Sequence, residues 1–242
     1  MTWNSRIGAE IPDGMRAIWT SAGRVPYRAG RVFRLRTHPL YRRFFRWLKW
    51  YAAPTAFAGG LAFAILVVLS RGLFLVGSSF GLVCGSEAPP VAVAGRVERE
   101  GFVTSSLCWS SGLQVKAGGR YRITLREEKE WRDDEIEAPV HRAGFGPERM
   151  AWPMYLGLPF RRSLGDDWFA PMVRVGALGN EVYALRQSGE LPPVARGLTA
   201  DLEPETDGEL FFFVNDTVLG LPGLAGVFYG NNQGTAVVEV QP

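Results

Sequence analysis

Residues 50–70 read WYAAPTAFAGGLAFAILVVLS, with no charged side chain among them. About 20 consecutive apolar residues are what one helix needs to cross a bilayer core. Arg71 follows and GLFLVGSSFGLV stays apolar, so the helix is expected over 47–77, with Arg71 snorkelling to the headgroups. Trp47, Trp50 and Tyr51 stand where an interfacial aromatic belt belongs. The competing reading, a buried core helix, is disfavoured because such helices are seldom this long without a charge. Upstream, residues 36–49 alternate apolar and basic positions as an amphipathic lead-in helix at a membrane surface would.

After GSEAPP the texture changes. PVAVAGRVE, SGLQVKAGGRYRITL, APMVRVGALGNEVYAL, GELFFFVND and GTAVVEV are alternating or β-branched runs bounded by Gly, Pro, Asn and Asp. In RYRITL, Tyr121, Ile123 and Leu125 are expected to face inward, with Arg120, Arg122 and Thr124 toward solvent. Many short strands at this spacing predict an all-β sandwich or jelly roll over 90–242, reached through a linker at 78–89. Between Glu127 and Asp167 the alternation gives way to a polar, Pro-rich stretch, read as a functional loop or a cap. No internal repeat is evident.

The net charge of +3 hides an asymmetry. Residues 1–46 form a basic arm of Gly, Pro and Arg with too little apolar surface to offset its ordering entropy alone. Arg42, Arg43, Arg46 and Lys49 crowd the front of the apolar run, and its far side offers only Arg71 nearby. The positive-inside rule therefore keeps the arm in the cytoplasm and exports the β domain, into the periplasm if the membrane is a bacterial inner membrane. The run is too long and too far from residue 1 for a cleavable signal peptide. Both cysteines, Cys84 and Cys108, fall on the exported side, where an oxidising compartment permits a disulfide. Closing that loop would stabilise the domain by about 3 kcal/mol.

Candidate chemistry gathers near the end, in FFFVNDTVLGLPGLAGVFYGNNQGTAVVEV. One strand exits into Asn215 and Asp216, and the next begins after Asn231 and Asn232. Adjacent strand ends would bring one carboxylate and two amide oxygens together, the hard oxygen shell that calcium prefers. The same residue types also cap turns by bonding their own backbone, and spacing alone leaves both readings open. VND followed by YGNNQGTAVVEV resembles the calcium-site signature of the galactophilic PA-I-type bacterial lectins. The likeness extends upstream through the strand-like runs quoted above, over roughly 90–240. It implies a lectin-like β-sandwich, a calcium ion held by Asp216, Asn231 and Asn232, and a ligand carbonyl from Phe228. It implies a further carbonyl from an aromatic residue in the first long loop, for which Trp131 or its neighbours are the candidates here.

This chain departs from that pattern at the sugar side. The turn before the Tyr-Gly-Asn-Asn run is expanded by TVLGLPGLAGVF, whose Leu219, Leu221, Leu224 and Val227 would crowd a monosaccharide. Apolar loops of this kind mark protein or membrane contact. The sugar-contacting His and Gln of those lectins have no counterpart, His141 lying in a different context. Enzymatic constellations are weak. Asp133-Asp134 and Asp166-Asp167, with Glu135 and Glu137, read as solvated neighbours that face different ways rather than acid–base pairs. The serines lack a nucleophile-elbow context and no glycine-rich phosphate loop with a lysine appears. The Asn215 sequon sits inside the candidate ion site. The basic arm beside an apolar span favours lipid headgroups or an acidic protein partner over nucleic acid. The expectation is a non-catalytic accessory or structural subunit of a larger inner-membrane complex, such as a photosynthetic or respiratory assembly. The alternative is a membrane-tethered, calcium-dependent carbohydrate-binding protein.

Overall fold

The computed structural model describes residues 38–140, 143–178, 181–186 and 197–242. The arm up to residue 37 and His141 lie outside them. The described chain divides into two compact units, one ending at residue 61 and the other spanning 62–242. In the first, helix α1 (Pro39–Trp47) starts at His38, whose Nδ1 accepts from the Leu40 N–H, with Pro39 pre-set for the first turn. Five residues of π-helix, Leu48–Ala52, link it to helix α2 (Ala53–Ser79). Pro54 gives the reason: it has no N–H, and its ring collides with the carbonyl four residues back, so the ladder widens there. Arg42, Arg43, Arg46, Trp47, Lys49 and Trp50 are all exposed, and the Lys49 ammonium lies over the Trp50 ring.

The continuous helix from Pro39 to Ser79 is long and apolar enough to cross a membrane. Only 11% of its most apolar window is buried, the opposite of a core helix.

Among the described residues the second unit holds two five-stranded sheets. The strands are β1 (Val91–Ala92), β2 (Val97–Val103), β3 (Trp109–Val115), β4 (Tyr121–Asp133), β5 (Ile136–Glu137), β6 (Pro171–Val175), β7 (Val182–Ala184), β8 (Gly197–Leu202), β9 (Gly208–Val214) and β10 (Asn232–Gln241). One sheet runs β1-β3-β9-β6-β7, the other β2-β10-β4-β5, with β8 also paired to β4. Every pairing is antiparallel except β1 with β3. Ile123, Leu125, Trp131, Val238 and Val240 of one sheet share a core with Leu113, Val173, Leu210, Phe212 and Val214 of the other. The architecture is that of a β-sandwich. Tyr121, Ile123 and Leu125 are buried and Arg120 and Arg122 exposed, as the alternation predicts, with Thr124 intermediate beside Thr199.

Two expectations are corrected. Strand β4 does not stop at Glu127. It runs to Asp133, because its charged residues form a solvated outer face laced by pairs such as Arg126 with Glu98 at 2.9 Å. Arg71 does not snorkel: its Nη1 donates to the carbonyls of Arg161 at 2.6 Å and Pro159 at 3.4 Å.

Residues 70–79 of α2 are seated on the sandwich. The Ser70 hydroxyl donates to the Val218 carbonyl and accepts from the Gly220 N–H at 2.9 Å. Phe74 joins the core, and Arg174 reaches Ser78. The Cys84–Cys108 disulfide, 24 residues apart, fastens the helix exit to the sandwich just before β3. Gly220 is where backbone meets backbone: a Cβ there would lie 1.9 Å from the Ser70 carbonyl oxygen and 2.5 Å from the Phe74 nitrogen. Gly220→Ala is expected to destabilise the seat by about 1–3 kcal/mol through overpacking. Gly226→Ala, whose Cβ would meet nothing within 4 Å, should leave the melting temperature unchanged. Thermal melts of the two variants check this.

Candidate acid–amide site

The site forms where β4 ends, β10 begins and β9 exits. Register pairs Asn232 with Asp133, so the first residue of β10 and the last of β4 face each other. Asp216 arrives two residues beyond β9. Asn215 fixes that exit. Its side chain accepts from the Ser163 N–H at 2.7 Å and donates to the carbonyls of Ser163, Asp166 and Asp167. Fully buried and fully bonded, Asn215 is a structural residue, and its sequon is closed to modification.

Asp133, Asp216 and Asn232 are each at least 95% buried. Asp216 accepts from the Thr217 N–H at 2.6 Å on one oxygen and from the Asn232 amide at 2.8 Å on the other. Asp133 accepts from the Asn231 amide at 3.0 Å and from the Trp168 indole at 2.6 Å. The Asn232 amide nitrogen also approaches the Thr104 carbonyl at 3.4 Å, while its oxygen Oδ1 is buried with no partner at all. A buried acceptor without a donor is costly and calls for a physical account. Loss of hydration pushes the Asp216 carboxyl up from 3.8 to about 7, and the neighbouring Asp133 carboxylate adds to the rise. Burial raises Asp133 as well, against the opposing bonds from Trp168 and Asn231. Perturbed carboxylates converging in one place are a functional-site signature. Asp134 and Phe169, adjacent to Asp133 and Trp168, hold positive φ angles of 53° and 60°, a strain found where surroundings over-determine the backbone.

The structure thus brings Asp216, Asn231 and Asn232 together. Phe228 opens the 3-10 turn Phe228–Asn231 and is 42% exposed. Tyr229 is buried, its hydroxyl donating to the Val214 carbonyl at 2.7 Å, which ties the turn to β9. The Trp131 carbonyl accepts from the Ala138 N–H at 2.9 Å, and its ring fills the core. The neighbour that does arrive is Asp133. The charged pair Asp133-Asp134 splits, one side chain buried and the other exposed, so the solvated reading holds for Asp134 alone. Asp166 is bound to Ser163 and Arg186, outside the site. Among the described residues no three His, Cys, Asp or Glu side chains come together as a metal group. The cluster here is half carboxylate and half amide.

Asp216, Thr217 and Asn231 form the polar end of a cleft of about 300 Å³. Its other walls are apolar, among them Phe63, Leu66, Met154, Phe160, Leu219 and Phe228. Leu221 is half-buried, Leu224 and Val227 exposed. No protein-family model matches this chain, and no curated protein matches it either.

Proposed function

We propose that the chain is a non-catalytic, membrane-anchored structural subunit of a larger bacterial inner-membrane complex. In this reading its arm is cytoplasmic, its helix crosses the membrane, and its β domain is a periplasmic, lectin-like module stabilised by calcium. The observation that carries the calcium assignment is the unpartnered Asn232 Oδ1 beside two buried carboxylates. A hard divalent cation resolves both problems at once: it neutralises the charge pair and gives the amide oxygen a partner. Asp133, Asp216, Asn231 and Asn232 would supply side-chain oxygens, each amide turning its oxygen inward, with the Phe228 carbonyl completing the set. In this reading the ion supplies stability, holding the ends of β4, β9 and β10 together.

The subunit assignment draws on the apolar anchor and on a cleft walled mostly by apolar side chains. A photosynthetic or respiratory assembly is an apt host. Gentle detergent extraction should recover the chain in stoichiometric association with other membrane subunits, and a monodisperse monomer would overturn the assignment. The carbohydrate-binding alternative draws on the polar end of the cleft. It would be established by calcium-dependent retention on immobilised galactose, which the subunit reading expects to be absent.

A further inference from the structure

The loops of the sandwich do not stop where the apolar run stops. Lys49 and Arg71 bound 21 uncharged residues, about 30 Å of helix at 1.5 Å per residue, the thickness of a bilayer core. Ser70 and Arg71 therefore mark one edge of that core. Both are engaged by the domain, Ser70 by the 218–220 loop and Arg71 by the carbonyls of Pro159 and Arg161. The contact continues past them. The Phe160 ring meets Phe63 edge-on, centroids 5.8 Å apart. Phe63 and Leu66 also share the cleft with Met154, Leu156, Leu219 and Phe228. Phe63 precedes Ser70 by seven residues, about 10 Å along the helix axis. Two segments of the domain, the 3-10 helix Trp152–Phe160 and the loop 217–231, thus lie beside a part of the helix that the hydrocarbon would surround.

Their composition suits that depth. Neither residues 150–160 nor residues 217–231 contain a charged side chain. Trp152 is 74% exposed and Val227 56%, and Tyr155, Leu156, Leu224 and Phe228 are exposed with them. An apolar surface of this kind is costly in water, and at this position along the helix acyl chains meet it. We propose that these two segments are sunk into the lipid leaflet on the domain's side, so that the sandwich is a bilayer-seated module. The inference rests on the reading of α2 as a membrane span, and goes beyond it by adding a second, lipid-facing surface.

The test uses the full chain, disulfide intact, in vesicles of phosphatidylethanolamine and phosphatidylglycerol. Single cysteines are added as Leu156→Cys, Val227→Cys, Ile65→Cys and Lys116→Cys, and each is labelled with an environment-sensitive fluorophore. Doxyl groups on the acyl chains should cause loss of fluorescence at positions 156, 227 and 65, and iodide in the buffer should cause loss at 116 alone. Quenching of 156 and 227 by iodide, with 65 still quenched by lipid, would leave the span intact and overturn the seating. Iodide quenching at 65 as well would remove the span and the seating together. Labels at 156 and 227 shielded from both quenchers would place a protein partner on this surface, and overturn the lipid assignment.

Discussion

Asp216→Asn is expected to raise the melting temperature of the metal-free protein at neutral pH and to abolish its response to calcium. The carboxyl sits near 7 in the folded protein against an ordinary 3.8. Because the folded value is the higher one, this group's stabilising contribution is fully present below about pH 4 and is lost as pH rises through about 7. The gap corresponds to about 4 kcal/mol as an upper bound. The variant carries no charge and should show no such slope. Its amide nitrogen faces Asn232, whose amide can turn to accept with Oδ1, so the bond between the two side chains is kept without the buried charge. Calcium reverses the order. It binds the carboxylate, so its binding releases a proton below about pH 7, and its stabilisation of the wild type grows with pH up to that point. At calcium a hundredfold above its dissociation constant the gain is about 2.7 kcal/mol, and the variant forgoes it. Melting curves from pH 4 to 8, in chelator and in calcium, decide the matter. A fall of equal size in both conditions would reduce the cluster to turn chemistry.

Removing the disulfide, Cys84→Ser together with Cys108→Ser, should cost about 3 kcal/mol, or roughly 10 °C for a domain of this size. Cys84 is 1% exposed and lies where the chain leaves α2 for the sandwich. Opening the loop returns to the unfolded chain the freedom of 24 residues. It also loosens the Arg162 guanidinium, which approaches the Cys84 sulfur at 3.8 Å, donates to the Leu107 carbonyl and stacks on Phe213. Reductant should lower the wild-type melting temperature by a similar amount and leave the double variant unmoved. An unchanged melting temperature on reduction would mean that the β1–β3 pairing and Arg162 hold this corner by themselves.

The parts of this fold legible in the sequence are those where one face is wet and the other dry. RYRITL alternates because β4 has core on one side and water on the other. β9 carries no such alternation: Phe211, Phe212 and Phe213 are all fully buried. Phe212 points into the sandwich, while Phe213 packs outside it with Ala170 and Met172 and under Arg162. The segment Trp152–Phe160 has no period at all, and as a 3-10 helix against α2 it needed none. At the site, Asp216, Asn231 and Asn232 are legible because strand ends that flank one loop must meet. Asp133 is not. A charge followed by another charge reads as solvent-facing, and only the register of β4 against β10 buries it opposite Asn232. The long strand running through WRD into the turn was the available signal, since its period-2 pattern carries Trp131 and Asp133 to the same inner face.

Equilibrium dialysis of calcium against the full chain in detergent, at pH 7.5, tests the central claim most directly. The account predicts one ion per chain, lost when Asp133→Asn and Asp216→Asn are combined. Absence of binding by the wild type at millimolar calcium, or undiminished binding by the double variant, would contradict it.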